Sequence, residues 1–99
     1  MRMLKLNRWY IEGNELRISL LRYYVNIMIN EGEKGLEYIV KVIDKHNDIL
    51  VIVLHSLESA ISFVEDVINK SSDFNEIFDK CKEYFDNEVT RKLKPTKNN

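Results

Sequence analysis

The chain has 99 residues, of which 44% are apolar and 31% charged, and its formal net charge is −1. This length fits one domain with a single core, and the composition excludes an intrinsically disordered chain. Cys81 is the only cysteine, so a disulfide within the chain is excluded. No run approaches the ~20 apolar residues of a membrane span, and the first residues lack the apolar core of a signal peptide. We therefore expect a soluble, cytoplasmic protein.

Charge is distributed unevenly along the chain. Residues 1–30 carry a net charge of +3, residues 31–90 a net charge of −8, and residues 91–99 a net charge of +4. Such an asymmetry can mark a binding face.

The first half of the chain predicts β-strands. Ile, Leu, Val and Tyr dominate residues 4–11 and 16–30, and between them lie Gly13 and Asn14, which tolerate positive φ. This pattern predicts a β-hairpin. The apolar alternation of the second arm changes phase at Leu20–Leu21, which we interpret as a β-bulge. A helix over residues 15–30 is the alternative, but its apolar positions would spread around the helix, which favours a strand.

Two further strands are predicted at residues 36–43 and 49–54. The second of these, ILVIVL, is apolar on both sides, so it should be covered on both faces or lie at a subunit contact. The pattern is compatible with a meander and with an order in which ILVIVL is the central strand.

Two amphipathic helices are predicted after ILVIVL. Ser56 is placed to cap the first helix, whose apolar residues recur at helical spacing from Leu57 to Ile68. The second helix starts at Ser72 or Asp73, with Glu76 in capping-box register with Asp73. The predicted fold class is therefore α+β: an antiparallel sheet of about four strands followed by two amphipathic helices packed on one face. We expect a single domain over residues 1–92 and a mobile, polar, basic tail over residues 93–99.

The sequence offers little catalytic or metal-binding chemistry. His55 and Ser56 are adjacent, so they point in different directions, and no glycine-flanked nucleophile motif is present. His46, His55 and Cys81 follow no metal-ligand spacing, and there is no glycine-rich phosphate loop. We expect a protein that is not an enzyme, with no cofactor, no metal, no catalytic residue and no small-molecule substrate. A small hydrolase or metal-binding protein is the least favoured class.

Two surface patterns remain as candidate binding sites. The predicted helices carry many carboxylates, which could bind a basic protein through electrostatic steering and pairing. The predicted protein-binding residues are Glu58, Glu65, Asp66, Glu76, Asp79 and Glu83. The amino-terminal hairpin combines cations and aromatics, which could neutralise phosphates and stack bases. The predicted nucleic-acid-binding residues are Lys5, Arg8, Arg17, Arg22 and Tyr24. Each pattern also has a simpler interpretation, as a solvated helix surface and as cross-strand aromatic pairs.

The chain resembles the short proteins of viruses that infect thermophilic archaea, the filamentous lipothrixviruses and the rod-shaped rudiviruses. The resemblance rests on the hairpin LNRWYIEGNELRISLLRYYVNIMINEG, the unit ILVIVLHSLESAISFVEDVINK, and a composition with no Gln, one Ala and abundant Ile, Lys and Asn. It implies a viral accessory protein, in some cases directed against host defences, that is thermostable and acts in the host cytoplasm.

From these observations we expect a non-enzymatic viral accessory or interaction protein that binds a basic host protein through its acidic helices, in the manner of host-defence inhibitors. Nucleic-acid binding through the basic, aromatic hairpin is the alternative. The very apolar ILVIVL strand and the number of aromatics also favour a homodimer.

Overall fold

The computed structural model describes the backbone of residues 4–6, 9–85 and 90–94 and the side chains of residues 9–83. The chain forms one antiparallel sheet in which each strand pairs with the next one along the chain. Its strands are β1 (Leu4–Leu6), β2 (Trp9–Glu12), β3 (Glu15–Ser19), β4 (Tyr23–Gly32), β5 (Gly35–Asp44), β6 (Ile49–Leu54) and β7 (Thr90–Lys94).

Two helices and a short helical turn connect β6 to β7. They are α1 (Leu57–Asp66), a 3-10 turn (Ile68–Lys70) and α2 (Phe74–Phe85). None of the helices in the described part of the chain is both long and apolar enough to cross a bilayer. The predicted α+β class is confirmed, and the strand order is the meander.

The sheet has seven strands instead of about four because both predicted arms of the hairpin are divided, which gives six strands, and β7 adds a seventh. The six strands β1 to β6 precede the helices in the chain, and β7 follows them. The predicted bulge at Leu20–Leu21 is wrong: the chain reverses there, and the Leu20 N–H donates to the Tyr23 carbonyl across the turn at 2.8 Å. Leu21 is 89% exposed at its tip. A tight reversal resets the alternation as a bulge would, so the apolar pattern alone did not distinguish them.

The carboxyl-terminal region differs from its prediction in one further respect. The strand β7 was not predicted, and it includes residues 93 and 94 of the expected tail. The rest of that tail, residues 95–99, lies outside the described residues.

Both predicted helix starts are confirmed by hydrogen bonds. The Ser56 hydroxyl accepts from the Ser59 N–H at 3.2 Å, which satisfies one of the free amides in the first turn of α1. At α2, the Asp73 carboxylate accepts from the Glu76 N–H at 3.0 Å, and the Glu76 carboxylate accepts from the Ser72 N–H at 2.9 Å. The capping-box prediction for Asp73 and Glu76 therefore holds, with the reciprocal bond displaced by one residue.

The core lies between the helices and one face of the sheet. Strand register aligns the buried residues in cross-strand rows, of which Ile18, Val25, Val42 and Leu50 form one. All four are buried, as expected where successive residues alternate between the two faces of a sheet. The helices contribute the buried side chains Ala60, Phe63, Val64, Ile77 and Cys81 to the same cluster.

Specific side-chain contacts attach the helical layer to the sheet. The Trp9 Nε1–H of β2 donates to the Glu65 carboxylate of α1 at 2.8 Å. The Tyr23 hydroxyl of β4 donates to the Ser71 carbonyl at 3.1 Å, and the Tyr23 ring stacks on Phe74 with centroids 6.0 Å apart. These contacts bring the core face of the sheet against the helices and leave the opposite face, called here the outer sheet face, without any described helix over it.

Candidate interaction surfaces

The predicted protein-binding carboxylates lie on the helical layer, and most of them are exposed to solvent. Glu58 and Asp66 lie on α1, and Asp79 and Glu83 lie on α2. All four are exposed, and we call these four residues the acidic helical face. The remaining two predicted residues, Glu65 and Glu76, have structural partners.

Glu65 is a structural residue because it accepts the hydrogen bond from Trp9. The Trp9 side chain is 3% exposed, so its indole N–H needs an acceptor within the protein. The two residues are separated by 56 positions in the chain, and the sequence gives no sign that they meet. Assigning Glu65 to a partner protein is therefore not supported by its contacts.

Glu76 and Asp66 are also engaged, though less deeply. Glu76 belongs to the cap of α2, and Asp66 accepts a long hydrogen bond of 3.4 Å from the Ser62 hydroxyl. Both acids line a hollow of about 240 Å³ together with Lys70 and Lys80. Opposite charges therefore neighbour one another at this end of the helical layer.

Over the helical layer as a whole the negative charge is not balanced. Residues 56–83 contain seven carboxylates and three lysines, a net charge of −4. One of those lysines, Lys82, lies 5.7 Å from the centroid of the Phe78 ring. Among the described residues, ion pairs occur only on the sheet, so Glu58, Asp79 and Glu83 face solvent without a cation at ion-pair distance.

The spacing of Asp79 and Glu83 places two carboxylates next to each other on α2. Residues four apart on a helix are neighbours, and two like charges there destabilise the helix by ~0.2–0.5 kcal/mol. The pair therefore does not contribute to the stability of α2, unlike the acids in the cap. An external cation bound between the two carboxylates would relieve their repulsion.

The predicted nucleic-acid-binding residues are brought together only in part. Arg17 and Tyr24 both lie on the outer sheet face, on β3 and β4. Lys5 lies on β1 in register with Tyr10, and Tyr10 is in register with Arg17, which extends the same row. Arg22 lies instead in the turn between β3 and β4, and Arg8 lies outside the described residues.

Arg17 is already neutralised by its neighbours. Its guanidinium forms an ion pair with Glu12, and its Nε lies 3.9 Å from the Glu15 carboxylate. A hydrogen bond with Tyr24 raises the pKa of the Arg17 guanidinium above its ordinary value, and the two carboxylates act in the same direction. The Asn26 side chain also donates to Glu15. Phosphate binding by Arg17 would have to displace these partners.

Arg22 lies at a polar cleft on the edge of the molecule. The cleft has a volume of about 430 Å³, and Arg22, Lys45 and His46 contribute cations or a titratable ring to its lining. Its two acids are engaged in turns and caps: Asp44 accepts from the His46 and Asp48 N–H groups, and Asp73 caps α2. The cleft is thus a charged, solvated hollow between a β-turn and the start of α2.

The residues considered for metal binding do not form a cluster. His46 follows β5 and His55 follows β6, so the two histidines lie at opposite ends of β6, ~20 Å apart at about 3.4 Å per residue. Cys81 is buried in the core. Within the described ranges, no three His, Cys, Asp or Glu side chains are grouped as metal ligands.

Comparison with known proteins adds no functional assignment. No protein-family model, no curated protein and no solved structure matches this chain. The case for a function therefore rests on the surfaces themselves.

Proposed function

We propose that this chain is a non-enzymatic interaction protein that binds a basic partner protein through the acidic helical face. The observation that carries the proposal is the set of exposed carboxylates on α1 and α2 that have no cation at ion-pair distance among the described residues. The resemblance to small proteins of archaeal viruses is consistent with a partner in the host cell, such as a basic host-defence protein.

A basic partner suits this face for two physical reasons. Exposed carboxylates of one sign raise the local concentration of cationic groups and accelerate association. The partner's lysines and arginines would also offset the repulsion between the carboxylates of Asp79 and Glu83. Each exposed ion pair contributes only ~0.2–1 kcal/mol, so the face would act through several pairs and would be sensitive to salt.

Nucleic-acid binding is the second candidate, and one observation favours it. Tyr10 and Tyr24 are 40% and 37% exposed on the outer sheet face, where aromatic rings could stack on bases. Against it, Arg17 is held by two carboxylates, and Glu12 and Glu15 would repel phosphates. The first candidate is therefore preferred.

The test uses a fluorescein-labelled oligolysine peptide as a minimal basic partner, with anisotropy as the readout. We expect binding that weakens between about 50 mM and about 300 mM salt. The double variant Asp79→Lys with Glu83→Lys should weaken binding about tenfold or more, because two attractive contacts become repulsive. The variant should remain folded, because both side chains are exposed and a cation at Glu83, in the last turn of α2, complements the helix dipole.

A matched control separates a specific face from bulk charge. Glu31, near the end of β4, and Glu33, in the turn that follows, are both exposed, and replacing both with lysine changes the net charge by the same amount. The control should bind the peptide nearly as well as the wild type. Equal losses in the two double variants would refute a specific acidic face. Salt-sensitive binding of a single-stranded oligonucleotide, weakened by Tyr24→Ala, would favour the second candidate.

A further inference from the structure

The charged residues of the outer sheet face are separated by sign along the strands. Two cross-strand rows, called here the basic rows, lie nearest the turns at residues 20–22 and 45–48: Ser19–Tyr24–Ile43–Ile49–Lys94 and Lys5–Tyr10–Arg17–Asn26–Lys41–Val51–Lys92. Neither row contains an acid. The acids of this face lie beyond the second row, towards the turns at residues 13–14 and 33–34, and they are Glu12, Glu15 and Glu37.

The three acids already have partners within the chain. Glu12 forms an ion pair with Arg17. Glu15 and Glu37 accept hydrogen bonds from asparagine side chains. Lys41, by contrast, is exposed, and among the described residues no carboxylate lies within ion-pair distance of it. A polyanion on the basic rows would therefore meet an available cation at Lys41 and would not have to cross the acids.

A hollow at the end of the basic rows has the size of a small-molecule site. Its volume is about 460 Å³, within the ~300–1,000 Å³ that is usual for such sites. Tyr24 and Ile43 give it an aromatic and an aliphatic lining, and the exposed residues Arg22 and Lys45 also line it. Asp44 is the acid of the hollow, and its carboxylate accepts from two backbone N–H groups of its own turn. Two cations therefore stand against one acid.

The aromatic side chains of the basic rows are accessible. Tyr24 is 37% exposed in the first row, and Tyr10 is 40% exposed in the second. Stacking of a base on an aromatic ring tolerates any sequence, because every base has a π-face. An exposed ring beside cations on an open sheet is the combination with which sheet surfaces bind single strands.

We propose that the basic rows bind a single-stranded nucleic acid, with one base in the hollow against the ring of Tyr24. The exposed cations Arg22, Lys41 and Lys45 hold the flanking phosphates. The inference rests on the second candidate function and names its site, which moves the phosphate contacts away from Arg17 and the acids beside it. The acidic helical face lies on the other side of the sheet, so the two surfaces can be tested independently.

A single strand suits this surface better than a duplex. The bases of a duplex are paired and stacked on one another, so only a single strand presents a base to the Tyr24 ring. The seven strands, at ~4.8 Å spacing, make the second basic row ~29 Å long, which accommodates several nucleotides of an extended strand.

The test uses the full chain with fluorescein-labelled decathymidylate and decauridylate as separate DNA and RNA probes, and anisotropy as the readout. Binding at about 50 mM salt should have a dissociation constant of ~1–100 µM and should weaken at about 200 mM salt. Tyr24→Ala should raise the dissociation constant roughly 5–150-fold, the effect of removing one base–aromatic stack. Tyr24→Phe keeps the ring and should stay within about twofold of the wild type. Met28→Ala, which removes an exposed apolar side chain beside the acids, should have no effect.

The salt dependence tests the phosphate contacts. Arg22→Ala with Lys45→Ala removes about two of them, so the slope of log K against log salt should become less steep by ~1.4. Lys34→Ala with Lys80→Ala is the matched control, because it removes two exposed cations away from the basic rows and should leave the slope unchanged. Circular dichroism of each variant must match the wild type.

The outcomes separate the site from the function. If neither oligonucleotide binds at low salt, the inference and the second candidate function are both overturned. If one binds but Tyr24→Ala does not weaken it, or if the two double variants have equal salt slopes, the proposed site is wrong and nucleic-acid binding lies elsewhere. Equal affinity for a duplex of the same length also overturns the stacking at Tyr24. The oligolysine assay reports on the acidic helical face and is unaffected by any of these results.

Discussion

The hydrogen bond between Trp9 and Glu65 provides a sharp test of how the helices are held to the sheet. The bond joins β2 to α1 at 2.8 Å, and the indole is 3% exposed. Glu65→Ala leaves a buried N–H without an acceptor. A hydrogen bond to a charged group contributes ~1.5–3 kcal/mol, and a buried unsatisfied donor costs a similar amount, so the free energy of unfolding should fall by ~2 kcal/mol. The midpoint temperature should fall by roughly 10 °C.

The assay is urea denaturation followed by circular dichroism, and three further variants make it specific. Glu65→Gln keeps an acceptor oxygen and should retain most of the stability. Glu58→Ala removes an exposed acid from the same helix and should change the free energy of unfolding by less than ~0.5 kcal/mol. Trp9→Phe removes the donor, so adding Glu65→Ala to it should cost ~1 kcal/mol less than in the wild type. If Glu65→Ala is no more destabilising than Glu58→Ala, the proposed role of this bond is refuted.

Three further predictions concern the strands, turns and caps. Burial raises the pKa of Tyr23 above its ordinary value of 10.0, so the contribution of Tyr23 to stability is complete below about pH 10 and is lost as pH rises through the raised pKa. In urea titrations the wild type should therefore lose stability above pH ~10 more steeply than Tyr23→Phe, and parallel curves would contradict this. Ser56→Ala should lower the free energy of unfolding by ~1 kcal/mol because α1 loses its cap, whereas Ser56→Asp should leave it unchanged. Equal unfolding curves for Ser56→Ala and the wild type would exclude the cap. Gly13 has a φ of +63°, and nothing lies within 4 Å of a Cβ added there. Gly13→Ala should therefore destabilise the protein by ~1–2 kcal/mol from backbone strain alone, and Gly13→Asn by less. The reverse order would argue against strain.

The features that the sequence predicts well are those determined by neighbouring residues. The caps at Ser56 and Asp73 depend on contacts within four positions, and the alternation in β5 reflects a single buried face. Local patterns of this kind also separate strand from helix over residues 15–30, where the structure has β3 and β4.

The features that the sequence does not predict depend on the rest of the fold. The turn at Leu20–Arg22 contains no Gly, Pro, Asn or Asp, so no turn signal distinguishes it from a bulge. The strand β7 is short and rich in cations, and it becomes a strand by pairing with β6. The sequence of a short polar segment does not predict a strand unless the strand it pairs with is known.

The candidate sites likewise combine features that follow from local sequence with features that depend on the rest of the fold. The acids of the helices were predicted from spacing, and the structure exposes most of them, because the outer face of an amphipathic helix follows from its apolar stripe. That Glu65 contacts Trp9 and that Arg17 pairs with Glu12 depends on tertiary and strand-to-strand geometry. The Glu65 contact removes one acid from the predicted helical set, and the Arg17 pairing weakens the case for the hairpin.

The most direct test of the proposed function is to map where a basic partner binds. Titration of ¹⁵N-labelled protein with an unlabelled oligolysine peptide, followed by amide chemical shifts, reports on every element at once. Binding through the acidic helical face predicts shifts concentrated at Glu58 and along Asp79–Glu83, with the strands β3 to β6 unchanged. Shifts concentrated on the strands, or spread evenly over exposed acids such as Glu31, would contradict it.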